Sequence, residues 1–411
     1  MNRRSVQDVA IVGAGMVGAA LALALAREGF DVALIESRAP PAWRAQDEVD
    51  LRVVALASSS ISMFERLGVW KTIRDARACA YARMHVWDGL APGQLNFDAA
   101  ESGERALGYI VENRLIQHVL WQALQADARV ALRCPAKVAS TEVDDEHRAL
   151  LLDDGSRINA RLVVAADGAD SALRRLLEID TQDRDYRQRA IVAHVRTQRA
   201  HENTAWQRFV PGATIAFLPL GDAQPLPATR DLQGARAPAR RSSIVWSVPD
   251  AEAERLLALA DADFCNELGV ASDFRLGAIT ACTARAAFPL RLKLADDYAA
   301  PRFALVGDAA HVVHPLAGQG VNLGLRDVQE LCAALVETRA AQRDFANDAV
   351  LRRYERRRRS DNAIAAHGFD AIQRVFGSES MPLATLRGLG LSAVDKIGPL
   401  KRWFARHAAG R

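Results

Sequence analysis

The stretch Asp8-Val-Ala-Ile-Val-Gly-Ala-Gly-Met-Val-Gly18 decides the fold of this 411-residue chain. An apolar strand pattern runs into Gly13, Gly15 and Gly18, and the small apolar residues that follow predict a helix. A second strand pattern then closes on Glu36, at the distance that a dinucleotide-binding unit requires. In such a unit the glycines let a pyrophosphate approach the helix start, and the carboxylate accepts a hydrogen bond from a ribose hydroxyl.

Two other interpretations of this stretch deserve comparison. Close packing of a helix on a strand would explain the glycines, but it would leave Glu36 unexplained. The apolar run Val9–Ala26, preceded by Arg3 and Arg4, also resembles a signal peptide or a membrane anchor. The spacing of the glycines and the strand that follows favour a buried βαβ unit, and therefore a cytoplasmic protein.

Composition and charge are those of an ordinary globular protein with more than one domain. Half of the residues are hydrophobic and a quarter are charged, and a net charge of +3 gives no argument for nucleic acid as a partner. The five cysteines are odd in number and scattered. This favours free thiols in a reducing compartment over disulfides or a zinc site.

Two later segments show the same pattern of a predicted strand that ends in a carboxylate. One predicted strand ends at Asp167-Gly168, and the other ends at Gly307-Asp308. Ligands of α/β sheets gather at the carboxyl ends of the strands, so we expect Asp167 and Asp308 to share one site.

The segment Gly318-Gln-Gly-Val-Asn322 opens an amphipathic helical pattern after Asp308. A glycine-rich helix start offers unpaired N–H groups and a positive dipole end to an electron-rich ligand. Taken alone, the stretch also fits an ordinary strand-turn-helix with a capping Asp. His311 and His314 lie inside it without a carboxylate at ligand spacing, so we interpret them as structural and predict no metal site.

Two arginines are further candidates. Gly108-Tyr-Ile-Val-Glu-Asn-Arg114 leads into an amphipathic helix, with Asn113 as predicted N-cap and with Glu112 and Arg114 directed outward. Arg52 follows a loop-like segment and either reaches a phosphate or lies on the surface. Spacing alone favours the surface.

From Tyr186 to Leu294 the pattern becomes rich in strands, with one helix predicted over 251–268. Aromatic residues on these strands either cover a flat hydrophobic substrate or belong only to a core, and residue by residue the core is favoured. They are Trp206, Phe209, Phe217, Trp246 and Phe288. The segment Gly221–Arg241 lacks periodicity and predicts a surface loop.

The last part of the chain is helical and basic. The charges of Leu351–Arg359 are expected to form a solvated face. The basic and partly apolar segments that follow suit either contact with anionic lipid or ordinary helix packing, and amphipathicity does not separate the two.

Three motifs, taken in order, resemble the class A FAD-dependent aromatic monooxygenases of the p-hydroxybenzoate hydroxylase type. They are Gly13–Gly18 with Glu36, Ala166-Asp-Gly168, and Gly307-Asp308 leading to Gly318–Asn322. The resemblance extends along nearly the whole chain to the ubiquinone-biosynthesis hydroxylases. The added motifs are Gly108–Arg114, Arg353–Arg358 with Asp361-Asn362, and Leu386–Leu391.

Three shorter stretches resemble the branch that hydroxylates 2-polyprenyl-3-methyl-6-methoxy-1,4-benzoquinol. They are Phe97–Glu101, Leu120–Leu124 and Ala216–Leu220, whereas the insertion Gly221–Arg241 departs from that branch. The resemblance implies an α/β fold with a Rossmann-like FAD-binding domain (1–75, 106–182 and 286–345). It adds an inserted antiparallel β-sheet substrate domain (76–105 and 183–285) and a C-terminal helical region (346–411).

The resemblance also implies an activity. NAD(P)H would reduce FAD, O2 would form a C4a-hydroperoxide on the reduced flavin, and the ring of a hydrophobic polyprenyl quinol would be hydroxylated in ubiquinone biosynthesis. A hydroxylase of another ring position or of a different phenol, and a flavin-binding scaffold without activity, remain alternatives. The C-terminal helices would supply peripheral contact with the inner face of the membrane or with a biosynthetic complex.

The residues implied for FAD binding share the strand ends, the glycine turns and the two arginines. Glu36 would hold the adenosine ribose, Arg52 and Arg114 the phosphate and ribityl region, and Asp308 the ribityl chain. The backbone of 320–322 would face the pyrimidine edge of the flavin. No catalytic base is identified. The full set is Gly13, Gly15, Gly18, Glu36, Arg52, Arg114, Asp167, Gly307, Asp308, Pro315, Gly318, Gly320, Val321 and Asn322.

Overall fold

The computed structural model describes residues 6–221, 240–313 and 320–377, together with residues 387, 388, 390 and 395. The helices of this part of the chain are α1 (Met16–Arg27), α2 (Ser58–Arg66), α3 (Trp70–Arg77), α4 (Asn113–Gln125), α5 (Ala172–Leu176), α6 (Asp250–Ala258), α7 (Asp261–Ala271), α8 (Gly320–Ala340) and α9 (Asp348–Gly377). Short 3-10 turns occupy Ala99–Ser102 and Gly307–Ala309.

The strands are β1 (Gln7–Val12), β2 (Val32–Ile35), β3 (Val53–Ala57), β4 (Cys79–Tyr81), β5 (Arg83–Asp88), β6 (Gln94–Asp98), β7 (Gly108–Glu112), β8 (Val130–Arg133), β9 (Val138–Val143), β10 (Arg148–Leu152), β11 (Arg157–Ala165), β12 (Thr181–Thr197), β13 (Thr204–Val210), β14 (Ala213–Leu220), β15 (Arg241–Pro249), β16 (Ile279–Cys282), β17 (Ala286–Ala295), β18 (Ala299–Ala300), β19 (Phe303–Leu305) and β20 (His311–Val312). They form three sheets.

The first sheet has the order β18-β19-β11-β1-β2-β8, and β10 and β9 extend it from β11. From β19 to β8 the neighbouring strands are parallel, so their carboxyl ends share one edge. The local sequence pattern predicts that residues 130–132, 136–143 and 149–152 are strands of one small antiparallel patch, and for residues 130–132 this prediction is wrong. Helix α4 packs on α1 and returns the chain to the sheet, so that β8 joins β2 in parallel.

Helix α1 is buried along nearly its whole length, from Gly18 to Ala26. It contacts α4, α8 and the sheet, which explains why its apolar residues are not confined to one face. The interpretation of Val9–Ala26 as a buried βαβ unit is therefore confirmed. None of the helices in the described ranges is both long enough and apolar enough to cross a lipid bilayer.

The second sheet has the order β20-β17-β12-β15-β14-β13-β5-β6, with β16 beside β12. Its strands confirm the β-rich pattern predicted between residues 186 and 294. One face packs on α6 and α7, and Phe217 and Trp246 belong to this core. Strand β17 pairs along β12, so residues 286–295 lie in this sheet.

The single helix predicted over 251–268 is interrupted. Leu259 and Ala260 are extended and separate α6 from α7. Arg285 stabilises the break, because its Nη2 atom donates to the carbonyl oxygen of Leu259 at 2.8 Å and pairs with Asp261 at 3.1 Å. A contact from the residue just before β17 therefore overrides the continuous helical pattern.

The third sheet, β3-β7-β4, lies between the other two. Its core residues Ala55 and Ile110 pack against Leu218 and Leu220 of β14. Helix α9 docks on the first sheet through Tyr354, whose hydroxyl donates to the carbonyl oxygen of Leu305 at 2.7 Å.

The arginine-rich start of α9 is not wholly solvated. Glu355 and Arg358 are buried, and Arg358 pairs with Asp327 of α8. The prediction of a solvated charged face was therefore wrong for this turn of the helix. A buried partner on the neighbouring helix stabilises a charge that the sequence pattern assigns to solvent.

Candidate functional site

The parallel strands bring four of the expected residues to one edge of the first sheet. Val12 of β1 lies opposite Ile35 of β2 and Ala165 of β11, and Ala165 lies opposite Leu305 of β19. The residues that follow these positions are Gly13, Glu36, Asp167 and Asp308. Segments separated by more than 270 residues in sequence therefore meet at one edge.

The three glycines of the first turn are present for different physical reasons. Gly13 has a φ of +100°, and a Cβ atom there would lie 2.4 Å from the carbonyl oxygen of Ala166; at Gly18 it would lie 2.0 Å from that of Gly13. At Gly15 a Cβ atom would meet nothing within 4 Å. Folding alone requires glycine at 13 and 18, whereas Gly15 borders space that the described residues do not fill.

Gly15 is also the N-cap residue of α1, and no side chain caps this helix start. The first N–H groups of a helix lack intrahelical partners and carry the positive end of the dipole. Space at Gly15 beside such groups fits a diphosphate better than it fits a side chain.

Glu36 is oriented toward the same turn. Its Oε2 atom accepts from the backbone N–H of Ala14 at 2.6 Å, and Oε1 accepts from Ser37 Oγ at 3.1 Å and from the N–H of Arg38 at 3.0 Å. The carboxylate is only half-buried. It can therefore accept further hydrogen bonds from the hydroxyls of a ligand lying along the edge.

Asp167 has one oxygen used by the protein and one that is not. Oδ2 accepts from the N–H groups of Ala172 and Leu173 at 2.8 and 3.2 Å. Oδ1 is buried and has no hydrogen-bond partner among the described residues. A buried carboxylate oxygen without a donor is costly, so this atom fits a donor supplied by a ligand.

Arg174 joins this turn to the one that carries Asp308. Its Nη1 atom donates to the carbonyl oxygen of Ala309 at 2.6 Å, and its Nη2 atom donates to that of Ala169 at 2.8 Å. Burial lowers the pKa of this guanidinium, and the charge of Asp167 opposes the shift. Arg174 therefore holds the ends of β11 and β19 at a set distance.

Asp308 lies in a concave part of the edge. Solvent reaches its side chain, yet the protein around it raises the pKa of the carboxyl, while the charges of His311 and Arg52 lower it. A group that is both accessible and surrounded lies in a cleft. The effect of Arg52 on Asp308 also shows that Arg52, although exposed, lies near the site.

Arg52 is positioned above an aromatic ring. Its guanidinium carbon lies 5.6 Å from the ring centroid of Phe288, which is itself 39% exposed. Phe209, Phe217 and Trp246 are buried, as the core interpretation expected. Phe288 differs from them because it lies beside the cleft.

Arg114 is held by the loop before β3. Its Nη2 atom donates to the carbonyl oxygen of Ala42, and it pairs with Asp47 at 3.5 Å. Its buried Nε atom has no hydrogen-bond partner in the described ranges. Arg114 therefore keeps one donor for another acceptor.

The predicted start of helix α4 was wrong in two respects. Glu112 is the N-cap residue and Asn113 is the first helical residue. Glu112 is also buried: it pairs with Arg77 at 2.6 Å and accepts from the N–H of Asp50 at 2.7 Å. Two donors from other segments stabilise this carboxylate inside the protein, so it does not point outward.

The start of α8 is fixed by the side chain of Asn322. Its Oδ1 atom accepts from the N–H of Ala57 at 2.9 Å and from Ser60 Oγ at 2.7 Å, and its Nδ2 atom donates to the carbonyl oxygen of Ala55 at 2.8 Å. The side chain is thus used within the protein, and only backbone groups remain for a ligand. A Cβ atom at Gly320 would meet no atom of the described residues within 4 Å.

Helix α8 lies close to the turn that carries Asp308. A Cβ atom at Gly324 would lie 2.7 Å from Val17 and 3.1 Å from the Cα atom of Gly307. The start of α8 therefore lies beside the first sheet edge and the start of α1. Val321 is partly buried. Pro315 and Gly318, which the sequence also predicted, and His314 lie outside the described residues.

Asp327 of α8 was not predicted. Its Oδ2 atom accepts from the N–H of Gly307 at 2.9 Å and from His311 Nε2 at 2.6 Å. His311, which lacks a carboxylate at ligand spacing in sequence, therefore has one in space. One sequence feature could have identified Asp327. It lies four residues after Leu323 and four before Leu331, so that it shares the buried face of α8 with these leucines. The described residues contain no group of His, Cys, Asp and Glu that could hold a metal ion.

The comparisons with known proteins agree with this geometry. Residues 6–366 match the family model of the FAD binding domain. The chain is 38% identical over 403 residues to the 3-demethoxyubiquinol 3-hydroxylase of Escherichia coli strain K12, covering 98% of each chain. It is 36% identical over 405 residues to the ubiquinone hydroxylase UbiL of Rhodospirillum rubrum, covering 98% of this chain and 90% of the relative.

A solved structure supports the fold. The p-nitrophenol 4-monooxygenase PnpA of Pseudomonas putida DLL-E4 superposes with a TM-score of 0.73 at 18% identity, covering 97% of this chain and 96% of PnpA. At this identity the likeness concerns the fold alone, and it confirms the expected p-hydroxybenzoate hydroxylase type. The family expected from the motifs is confirmed as well: the chain belongs to the FAD-binding-domain monooxygenases that include the ubiquinone-biosynthesis hydroxylases.

Proposed function

We propose that this protein is an FAD-dependent monooxygenase that hydroxylates the ring of a polyprenylated quinol in ubiquinone biosynthesis, with NAD(P)H as electron donor and O2 as co-substrate. The observation that carries the proposal is the sheet edge itself. Glu36, the unpartnered oxygen of Asp167 and the cleft at Asp308 lie in one row beside the open space at Gly15. The identity of 38% to the E. coli hydroxylase supplies the substrate class.

The residues of this row have chemistry that suits the parts of FAD. The start of α1 at Gly15 would bind the pyrophosphate, Glu36 the adenosine ribose, and Asp308 the ribityl hydroxyls. Arg52 and the Nε atom of Arg114 would add charge toward the phosphates. The Asp167-Gly168 turn would brace the site, and Gly13 and Gly18 would keep the turn tight. Bound FAD supplies electron transfer from NAD(P)H and activation of O2.

The start of α8 would bear on the reactivity of that site. Residues 320–322 begin a 21-residue helix and place its positive end beside the cleft. Such a dipole stabilises negative charge that develops on a nearby ligand, and Gly307 would shape the same wall. The second sheet would exclude water from the reacting ring, with Phe288 at its margin.

A first experiment tests the cofactor and the class of reaction. Purified protein is expected to carry a flavin spectrum and to oxidise NAD(P)H faster when a short-chain quinol is added, with formation of a hydroxylated product. Protein without flavin would contradict the proposal. Flavin without quinol-stimulated oxidation would favour the alternative of a flavin-binding scaffold.

The ring position is a finer part of the proposal. We propose the position that is hydroxylated in 2-polyprenyl-3-methyl-6-methoxy-1,4-benzoquinol, on the basis of the branch motifs quoted above. A deletion strain is then expected to accumulate that precursor, identified by mass spectrometry, and a plasmid copy should restore ubiquinone. Accumulation of a precursor that lacks an earlier hydroxyl would assign another ring position. Normal ubiquinone levels would indicate a different phenolic substrate.

We also propose peripheral contact with the cytoplasmic face of an anionic membrane, where such a substrate resides. Ile364, Ile372 and Val375 of α9 are exposed, and Arg352, Arg356 and Arg359 are exposed on the same helix. Exposed apolar residues with basic neighbours suit the surface of anionic lipid.

Vesicles distinguish this contact from ordinary surface exposure. Binding to vesicles with anionic lipid is expected to exceed binding to neutral vesicles and to fall with added salt. Ile364→Asp should weaken it. Val270→Asp, which changes an exposed apolar residue on α7, should not. Equal binding to both kinds of vesicle, or equal effects of the two substitutions, would contradict the proposal.

A further inference from the structure

The segment Gly307–His311, here called the strap, carries Asp308 between two hydrogen bonds to one buried carboxylate. Asp327 Oδ2 accepts from the backbone N–H of Gly307 at 2.9 Å and from His311 Nε2 at 2.6 Å. Gly307 has a φ of +61°, and the N–H of Ala310 donates to its carbonyl oxygen at 2.8 Å. Both ends of the strap are therefore attached to Asp327.

The other oxygen of Asp327 binds helix α9. Oδ1 accepts from Arg358 Nε at 2.8 Å and from Asn362 Nδ2 at 3.2 Å. The side chain of Asp327 is fully buried, and its carboxylate accepts these four hydrogen bonds. Burial by itself would raise its pKa, but His311 and Arg358 outweigh burial and keep the pKa below its ordinary value. Asp327 is therefore an ionised carboxylate at neutral pH.

Asp308 is the accessible member of the strap. Gly307, Ala309, Ala310 and His311 are buried, and Arg174 holds the carbonyl oxygen of Ala309. With the backbone fixed on both sides, Asp308 has little freedom except in its own side-chain rotation. The direction of its carboxylate thus depends on Asp327, which does not itself line the cleft.

We propose that Asp327 is a positioning residue for FAD binding. It holds the strap so that Asp308 presents its carboxylate to the ribityl chain. This inference rests on the proposed binding of FAD at the sheet edge. Asp327→Asn replaces the charge with an amide of the same shape. Each carboxylate oxygen accepts two of the four hydrogen bonds, so two of the donors must then meet an NH2 group instead of an acceptor.

The chain offers a matched control. Asp361 also pairs with Arg358, at 2.9 Å, but it is 62% exposed and does not contact the strap. Asp327→Asn is expected to raise the dissociation constant of FAD about tenfold or more, which equals about 1.4 kcal/mol or more. Asp361→Asn should change it less than about twofold, because exposed pairs contribute little. Binding is measured by fluorescence titration of flavin-free protein with FAD.

A double-mutant cycle separates positioning from a general loss of structure. If Asp327 acts through Asp308, then Asp308→Ala combined with Asp327→Asn should bind FAD no more weakly than Asp308→Ala alone. Effects that multiply would overturn the proposal, as would normal FAD affinity of Asp327→Asn. If Asp327→Asn does not fold, the same cycle with His311→Gln, which alters one hydrogen bond, decides by the same criterion. Wild-type protein that binds no FAD would instead refute the proposed function.

Discussion

Exchanging Gly15 and Gly18 separately for alanine should distinguish a glycine that a ligand requires from one that folding requires. At Gly18 the new Cβ atom would lie 2.0 Å from the carbonyl oxygen of Gly13, and backbone atoms of both segments would have to move. Overpacking of this kind costs about 1–3 kcal/mol and sometimes more. We therefore expect flavin-free Gly18→Ala to unfold at clearly lower denaturant concentration than wild type.

At Gly15 the new Cβ atom meets no atom of the described part of the chain within 4 Å, and the backbone has a φ of −63°, which alanine adopts readily. Two small effects of opposite sign act on stability. The reduced entropy of the unfolded chain contributes about 0.4–1 kcal/mol in favour of alanine, and the poorer helix N-cap costs up to about 1 kcal/mol. The free energy of unfolding without flavin should thus change by less than about 1 kcal/mol.

Gly15→Ala should weaken FAD binding strongly, although it should change the stability of the flavin-free protein little. The Cβ atom would occupy space proposed for the pyrophosphate, so the dissociation constant should rise at least about tenfold, or 1.4 kcal/mol. Urea unfolding of flavin-free protein and fluorescence titration with FAD measure the two quantities independently. The reasoning is refuted if Gly15→Ala binds FAD as wild type does, or if it is destabilised as strongly as Gly18→Ala.

Three further substitutions test other parts of the site. The protein around Asp308 raises the pKa of its carboxyl although solvent reaches the side chain, so the folded state binds this proton more tightly and loses stability as pH rises through the carboxyl range. Asp308→Asn should therefore make the flavin-free protein more stable at pH 7, but not at pH 3, while weakening FAD binding. Asn322→Ala leaves buried backbone groups of Ala55 and Ala57 unpaired and should cost about 2–4 kcal/mol in urea unfolding. Tyr354→Phe removes the hydrogen bond to Leu305 and should cost about 1 kcal/mol without changing FAD affinity.

Some predictions concern the position of a residue at the end of a strand, and others concern the side chains that a residue contacts in the folded protein. Gly307-Asp308 and Asp167-Gly168 could be predicted as neighbours because parallel strands have a common direction, which places their carboxyl ends at one edge. The partners of Glu112 could not be predicted. They come from α3 and from the loop before β3, and no local pattern distinguishes a carboxylate that finds two buried donors from one that faces solvent.

The arginine-rich turn of α9 shows the same limit. Arg357 and Arg358 are adjacent in a run of basic residues, yet Arg357 pairs with Glu330 in solvent and Arg358 is buried against Asp327. A helix turns about 100° per residue, so adjacent positions face different surroundings. Which of the two is buried depends on the angle at which α9 packs on α8, and that angle is a property of the tertiary structure.

The sequence by itself determined the βαβ start, the glycine spacing, the acidic strand ends and the family, because each follows from a short local pattern with one physical requirement. Only the tertiary structure decided that Gly15 borders open space while Gly13 and Gly18 are packed. It alone also paired His311 with Asp327. These features depend on contacts between segments far apart in the chain, and the geometry of such contacts is set when the sheets and helices pack together.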